Sequence, residues 1–95
     1  MSETIDKAVE MLNEKTGGSF DGSAKFVLEG EGAILLDGDG ARAGDADADV
    51  TLSADAETFR EILSGDLDPT QAFMTGRLTV DGDMGLAMQL ASALA

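Results

Sequence analysis

Carboxylates are the groups in this sequence that could do chemistry, and they concentrate within residues 37–49. A calcium-binding EF-hand loop requires glycine at its sixth position and a bidentate glutamate at its twelfth. Counted from Asp37, those positions hold Arg42 and Ala48, and a count from Asp45 fails in the same way. We therefore interpret the cluster as solvated turns in an acidic protein and predict no metal site.

Other catalytic and cofactor patterns also fail. The chain has no histidine and no cysteine, which excludes Ser–His–Asp and Cys–His catalysis and histidine-ligated zinc. Glu57 and Glu61 share a helix face, a spacing common on solvated helices. Residues 38–43 match a dinucleotide fingerprint on paper, but no helix follows and the nearby aspartates would repel a pyrophosphate. We predict no enzymatic activity and no cofactor.

The charge balance restricts the partners and the setting. Nineteen acidic and six basic residues give a formal net charge of −13, which disfavours nucleic acid and anionic membrane surfaces. At about 1 M salt the Debye length is near 3 Å, so a high-salt cytoplasm would screen this self-repulsion. There is no apolar run of roughly 20 residues and no basic signal-peptide start. We expect a cytoplasmic protein without stable membrane insertion.

Hydrophobic periodicity and turn residues predict one α/β (α+β) domain over residues 1–95. The order is helix, three-strand meander, fourth strand, two helices, fifth strand and helix. The first predicted helix has its apolar positions within residues 5–12 and ends near Gly17, and the other predicted helices cover residues 56–64, 69–74 and 84–95. The predicted strands cover 25–29, 33–36, 41–43, 50–52 and 77–81. We expect a five-stranded, mostly antiparallel mixed sheet with helices on one face. The last strand–helix–strand step predicts a right-handed crossover onto a parallel neighbour.

The segment from Asp68 onward organises the chain. Asp68 is a predicted N-cap, as Asp55 is for the preceding helix. Gly76 is a predicted helix stop, and Asp83 is the predicted N-cap of the last helix. Residues 84–95 contain no charged side chain, although 26% of the chain is charged. The apolar arc of this helix is wider than the stripe of an ordinary surface helix.

Residues 68–87 (DPTQAFMTGRLTVDGDMGLA) resemble the C-terminal signature of the sterol carrier protein-2 family. Residues 48–53, Phe59 and residues 63–65 fit the same pattern, so the resemblance extends from about Phe26 onward. It implies a lipid tunnel between the sheet and the helices, closed by the last helix. Together with the acidic composition, it suggests a single-domain prokaryotic, haloarchaeal member.

The apolar residues around the last helices allow two interpretations. Periodicity alone favours ordinary core or a dimer interface, whereas the resemblance favours a pocket that excludes water from an apolar lipid. The predicted lipid-binding residues are Phe59, Ile62, Leu63, Phe73, Met74, Leu78, Val80, Met84, Ala87, Met88, Leu90, Ala91 and Leu94. Arg77 borders this region and could pair with a ligand carboxylate.

Three functions remain open from the sequence. The first is a non-enzymatic carrier of a fatty acyl, isoprenoid or sterol-like lipid. The second is a partner-binding or homodimerisation module that buries the last helix. The third is an accessory domain that presents a substrate to a separate enzyme.

Overall fold

The computed structural model describes residues 3–94, which form four helices and five strands. The elements are α1 (Glu3–Thr16), β1 (Ala24–Glu29), β2 (Gly32–Asp37), β3 (Gly40–Ala43), β4 (Val50–Asp55), α2 (Ala56–Ser64), α3 (Pro69–Met74), β5 (Thr79–Gly82) and α4 (Met84–Leu94). The predicted element order is confirmed. β5 begins two residues later than predicted because the backbone amides of Arg77 and Leu78 both donate to the Ala72 carbonyl oxygen, which keeps them in the turn that ends α3.

The five strands form one sheet in the order β3-β2-β1-β4-β5. The pairs β1–β2, β2–β3 and β4–β5 are antiparallel, and β1–β4 is parallel. This arrangement confirms the predicted mostly antiparallel mixed sheet. No helix within residues 3–94 is both long enough and apolar enough to cross a membrane.

The predicted parallel crossover between the last two strands is wrong. β5 runs antiparallel to β4, with Thr79 opposite Ser53 and Gly82 opposite Val50. A single helix between two strands normally returns the chain to the start of the neighbouring strand, giving parallel pairing. Here α2 and α3 both lie between the strands, and the chain re-enters the sheet beside the end of β4. The second helix therefore reverses the direction that one helix would have produced.

The core lies on the face of the sheet that the helices cover. β1 and β4 bury alternate residues on this face, among them Phe26, Leu28 and Leu52. From α1, Leu12 packs into the same core at 1% exposure. Burying a side chain of this size contributes about 1.5–3 kcal/mol. The helices are therefore fixed against one face of the sheet, as predicted.

Three aspartates begin the helices that surround the candidate site. The side chain of Asp55 accepts a hydrogen bond of 2.8 Å from the Thr58 amide at the start of α2. Asp68 caps α3 in the same way, and Asp83 accepts from the first amides of α4. Each cap satisfies amides that the first helical turn leaves unpaired. The helix starts predicted from these aspartates are confirmed.

Candidate functional site

A cavity of about 480 Å³ lies where α2, α3 and α4 meet β4 and β5. We call it the α3–α4 cavity, after the two helices that form its mouth. Its wall consists of Leu52, Phe59, Ile62, Asp68, Pro69, Thr70, Phe73, Met74, Leu78, Val80, Met84, Ala87, Met88, Ala91, Ser92 and Leu94. The volume lies within the range of small-molecule sites, about 300–1,000 Å³.

The cavity has a buried floor and an exposed mouth. Leu52, Ile62 and Leu78 are 4%, 1% and 3% exposed and form part of the floor. At the mouth, Met74 is 79% exposed and Met88 is 71% exposed. Phe73 and Met84 are also substantially exposed large apolar residues of the wall. An apolar ligand seated here would thus cover side chains that water now surrounds.

Helix α3 brings Phe73 and Met74 to the mouth. Its first residue, Pro69, and Ala72, three residues later, are buried. This leaves the two residues that follow Ala72 on the outer side of the helix. Gly76 lies just beyond the helix with a φ of +81°. This left-handed conformation commonly ends helices, and glycine adopts it most easily. The short helix therefore ends immediately after the two side chains that it presents.

Helix α4 forms the opposite side of the mouth. It buries Ala87, Leu90 and Leu94 toward the core, whereas Met84 and Met88, one turn apart, remain exposed. No charged side chain lies on α4 to solvate this second face. The wide apolar arc of the sequence therefore divides into a core-facing stripe and a methionine-bearing stripe at the cavity mouth.

The polar side chains of the wall are Asp68, Thr70 and Ser92, and none of the wall residues is basic. Asp68 already caps α3. Arg77 does not line the cavity; it donates to Glu61 Oε2 at 2.6 Å and to Thr58 Oγ1 at 3.3 Å. The hydrogen bond with Glu61 raises the pKa of the Arg77 guanidinium. The cavity thus offers mainly apolar contact, and Arg77 is already paired elsewhere.

Eleven of the thirteen predicted lipid-binding residues lie in the wall of this single cavity. They are Phe59, Ile62, Phe73, Met74, Leu78, Val80, Met84, Ala87, Met88, Ala91 and Leu94.

The other two predicted residues lie elsewhere. Leu90 is fully buried in the core beneath α4, and Leu63 faces a different cavity. Sequence reasoning missed Leu52, Asp68, Pro69, Thr70 and Ser92. Of these, Leu52 carried a usable signal, because its alternation along β4 already placed it on the inner face.

The second cavity, of about 540 Å³, lies between α1 and α2, and we call it the α1–α2 cavity. It is lined by Glu3, Thr4, Lys7, Ala8, Met11, Leu28, Ala56, Glu57, Phe59, Arg60 and Leu63. Leu28, Phe59 and Leu63 are buried, whereas Lys7 and Arg60 are exposed. This cavity therefore combines an apolar floor with charged residues of both signs.

Two of the five aspartates in residues 37–49 form ion pairs. Asp37 accepts two hydrogen bonds from the Arg42 guanidinium, at 3.0 and 2.9 Å, across the β2–β3 turn. Hydrogen bonding to Arg42 is the main reason that the pKa of Asp37 is lowered to about 2. Asp45 pairs with Lys25 at 3.1 Å. Among residues 3–94 there is no group of three or more side chains placed to hold a metal ion.

Comparison with known proteins identifies a family and a fold. The SCP-2 sterol transfer family matches residues 9–95. Hydroxysteroid dehydrogenase-like protein 2 of Xenopus laevis is 37% identical over 99% of this chain, and the chain spans about a quarter of that relative, 24% of its length.

Two solved structures share the fold. A sterol carrier protein-2 of Aedes aegypti, determined as a complex with palmitate, has a TM-score of 0.78 at 20% identity, over 100% of this chain and 97% of that one. The sterol carrier protein domain 2 of Helicoverpa armigera has a TM-score of 0.69 at 27% identity, over 95% and 81%. With the family match over most of its length, the chain belongs to the SCP-2 sterol transfer family.

Proposed function

We propose that this member of the SCP-2 sterol transfer family binds an apolar lipid in the α3–α4 cavity and acts as a non-enzymatic carrier. The ligand class comprises fatty acyl, isoprenoid and sterol-like molecules. The observation that carries the proposal is the apolar wall of the cavity, which ends in four exposed large apolar side chains at its mouth.

Hydrophobic contact would supply most of the affinity. Each Å² of apolar surface removed from water contributes about 25 cal/mol, and no basic wall residue is available to pair with a ligand carboxylate. Methionine is flexible and polarizable, so Met74, Met84 and Met88 can adapt to ligands of different shape. The site should therefore prefer apolar surface area over any particular headgroup.

The relatives support the choice of ligand class. The Aedes aegypti protein with the same fold was solved with palmitate, which makes palmitate the first probe for this chain. Isoprenoid alcohols and sterols are the second and third probes, because the cavity wall is mainly apolar and its volume of about 480 Å³ lies in the range of small-molecule sites.

Two further functions are favoured by specific observations. The exposed residues Phe73, Met74, Met84 and Met88 could instead be buried in a homodimer or against another protein. The match to part of a longer relative named as dehydrogenase-like favours an accessory domain that holds a substrate for an enzyme. Both alternatives involve the exposed residues at the cavity mouth, so the same variants are informative for each of them.

The decisive variant is the double substitution Met74→Gln and Met88→Gln. Glutamine has nearly the length and helix propensity of methionine, and both positions are exposed, so the melting temperature should stay close to that of the parent. The polar amides would line the mouth, and binding of delipidated protein to palmitate, measured by calorimetry, should weaken by about tenfold or more. The matched control is Met11→Gln in the α1–α2 cavity, which should bind as the parent does.

Three results would contradict the carrier proposal. The first is a parent that binds none of the three probes. The second is a double variant that binds as the parent does, and the third is a Met11→Gln variant that alone loses binding. Light scattering adds the test for the dimer: a parent dimer that becomes monomeric in the double variant, with no lipid bound in either, would favour the interface.

A further inference from the structure

Phe59 is the one side chain shared by the walls of the two cavities within residues 3–94. It lies on α2, whose next inward residues diverge: Ile62 lines the α3–α4 cavity and Leu63 lines the α1–α2 cavity. The ring of Phe59 therefore stands between the apolar α3–α4 cavity, of about 480 Å³, and the apolar floor of the α1–α2 cavity, of about 540 Å³.

The ring is held in place from the sheet. Phe59 is 3% exposed and packs edge-to-face on Phe26 of β1, with centroids 5.6 Å apart and an interplanar angle of 76°. Aromatic rings attract one another in this geometry, because the positive edge of one meets the negative face of the other. The Asp55 cap fixes the start of the same helix one turn earlier. A rotation of the ring away from its position between the two cavities would lose the contact with Phe26.

We propose that Phe59 is the specificity-determining residue that limits the length of the acyl chain held in the α3–α4 cavity. This inference rests on the proposed function and adds to it the limit on ligand size. A chain entering at the mouth would advance past Ile62 until its tip met the Phe59 ring. Carbon atoms beyond that limit would remain at the mouth and be exposed to water.

The space behind the ring would accept a longer chain if the ring were absent. The residues of the α1–α2 cavity nearest the core are apolar, with Leu28 and Leu63 at 2% and 4% exposure. The charged residues Lys7, Glu57 and Arg60 are exposed. A chain tip passing the position of the ring would therefore meet apolar contacts before charged ones.

The test measures affinity across saturated fatty acids from decanoate to docosanoate. Each additional buried methylene should strengthen binding about fourfold, and each exposed one should add nothing. The parent should show rising affinity up to one chain length and a plateau beyond it. Phe59→Ala should move the plateau to longer chains, because the two spaces become one passage.

The matched control is Leu63→Ala, which truncates a buried residue of the same helix but leaves the ring in place. Its plateau should stay at the parental length. Ile62→Ala should change affinity but move the plateau by a methylene or two at most, because it widens only the α3–α4 cavity. If Phe59→Ala fails to fold, Phe59→Leu, which shortens the side chain and keeps it apolar, should move the plateau in the same direction by less.

A folded Phe59→Ala or Phe59→Leu variant that binds fatty acids with the parental affinity plateau would contradict the role of Phe59 as the length limit. The carrier function would not be affected by that result. An equal shift in Leu63→Ala would also contradict this role of Phe59, because the ring would then not be the barrier. A parent that binds no fatty acid of any length would contradict the carrier function, and with it the role of Phe59 as the length limit.

Discussion

The ammonium group of Lys15, at the end of α1, donates a hydrogen bond of 3.3 Å to the backbone carbonyl oxygen of Leu94, at the end of α4. The two residues are 79 positions apart in the sequence. The last carbonyls of a helix lack intrahelical donors, and a cation there also compensates the negative end of the helix dipole. α4 has no basic residue in its own last turn, so α1 supplies one.

Replacing Lys15 by Met should loosen the end of α4 while preserving the apolar stem and helix propensity of the side chain. A hydrogen bond of this kind contributes about 0.5–1.5 kcal/mol, so amides in the last turn of α4 should exchange with solvent roughly 2- to 10-fold faster. Lys7→Met is the control, because Lys7 lies on the same helix and its side chain makes no hydrogen bond or ion pair within the described part of the chain. Equal exchange rates in the two variants would contradict this role of Lys15.

Gly82 should be intolerant of a side chain. Its φ is +113°, and a Cβ at this position would collide with the carbonyl oxygen of Asp49 and lie 3.0 Å from the Val50 Cα atom. Both the backbone conformation and the neighbouring strand oppose the substitution. Gly82→Ala should lower the free energy of unfolding by about 2 kcal/mol or more, measured by urea denaturation.

Gly38→Ala is the comparison for Gly82→Ala. A Cβ at Gly38 has no neighbour within 4 Å, and this glycine does not have a positive φ. Its stability should change by less than about 1 kcal/mol. A similar loss in both variants would show that the contact with Asp49 is not the cause.

The Asp55 cap predicts a pH-dependent contribution to stability. The hydrogen bond from the Thr58 side chain is the main cause that lowers the pKa of Asp55 in the folded protein. The unfolded chain has a carboxyl pKa of about 3.9. A carboxylate with a lowered folded pKa stabilises the fold above the unfolded pKa, and this contribution is lost as the pH falls through the folded pKa.

Asp55→Ala should therefore lower the melting temperature by roughly 4–8 °C at pH 7, and the deficit should shrink as the pH falls below about 4. Asp55→Asn retains a capping oxygen that does not titrate. The difference between the Asn and Ala variants should consequently persist at low pH. A deficit of the Ala variant that is independent of pH would contradict the lowered pKa of Asp55.

Salt should stabilise this protein. With 19 acidic and six basic residues, raising the salt concentration from about 0.1 M to above 1 M shortens the Debye length from roughly 10 Å to 3 Å. The melting temperature should rise by about 5–10 °C in potassium chloride, and by less in an uncharged osmolyte. A constant melting temperature would contradict the high-salt interpretation of the composition.

Asp47→Asn provides a variant for the salt experiment, because Asp47 has no ion pair within residues 3–94, whereas Asp45 pairs with Lys25. Removing one unpaired like charge should raise the melting temperature slightly in dilute buffer and have no effect at high salt. An Asp45→Asn variant should gain less, since it also loses the contact with Lys25.

The sequence by itself determined the local features that position the site. Asp55, Asp68 and Asp83 could be identified as helix caps because a cap needs only its own residue and the next two or three amides. The inward positions of Ile62 and Ala87 followed from helical spacing, which one segment of chain displays without reference to any other. That these residues line a cavity could be anticipated only with the resemblance to the sterol carrier protein-2 family, because periodicity alone favoured ordinary core or a dimer interface.

Only the tertiary structure decided how those segments face one another. Leu90 and Met88 both belong to the apolar arc of α4, and packing against the core buries the first and leaves the second at the cavity mouth. The antiparallel pairing of β5 with β4 likewise depended on where two successive helices delivered the chain. The sharing of Phe59 by two cavities depends on contacts between residues far apart in sequence, and periodicity carries no information about distances between separate segments.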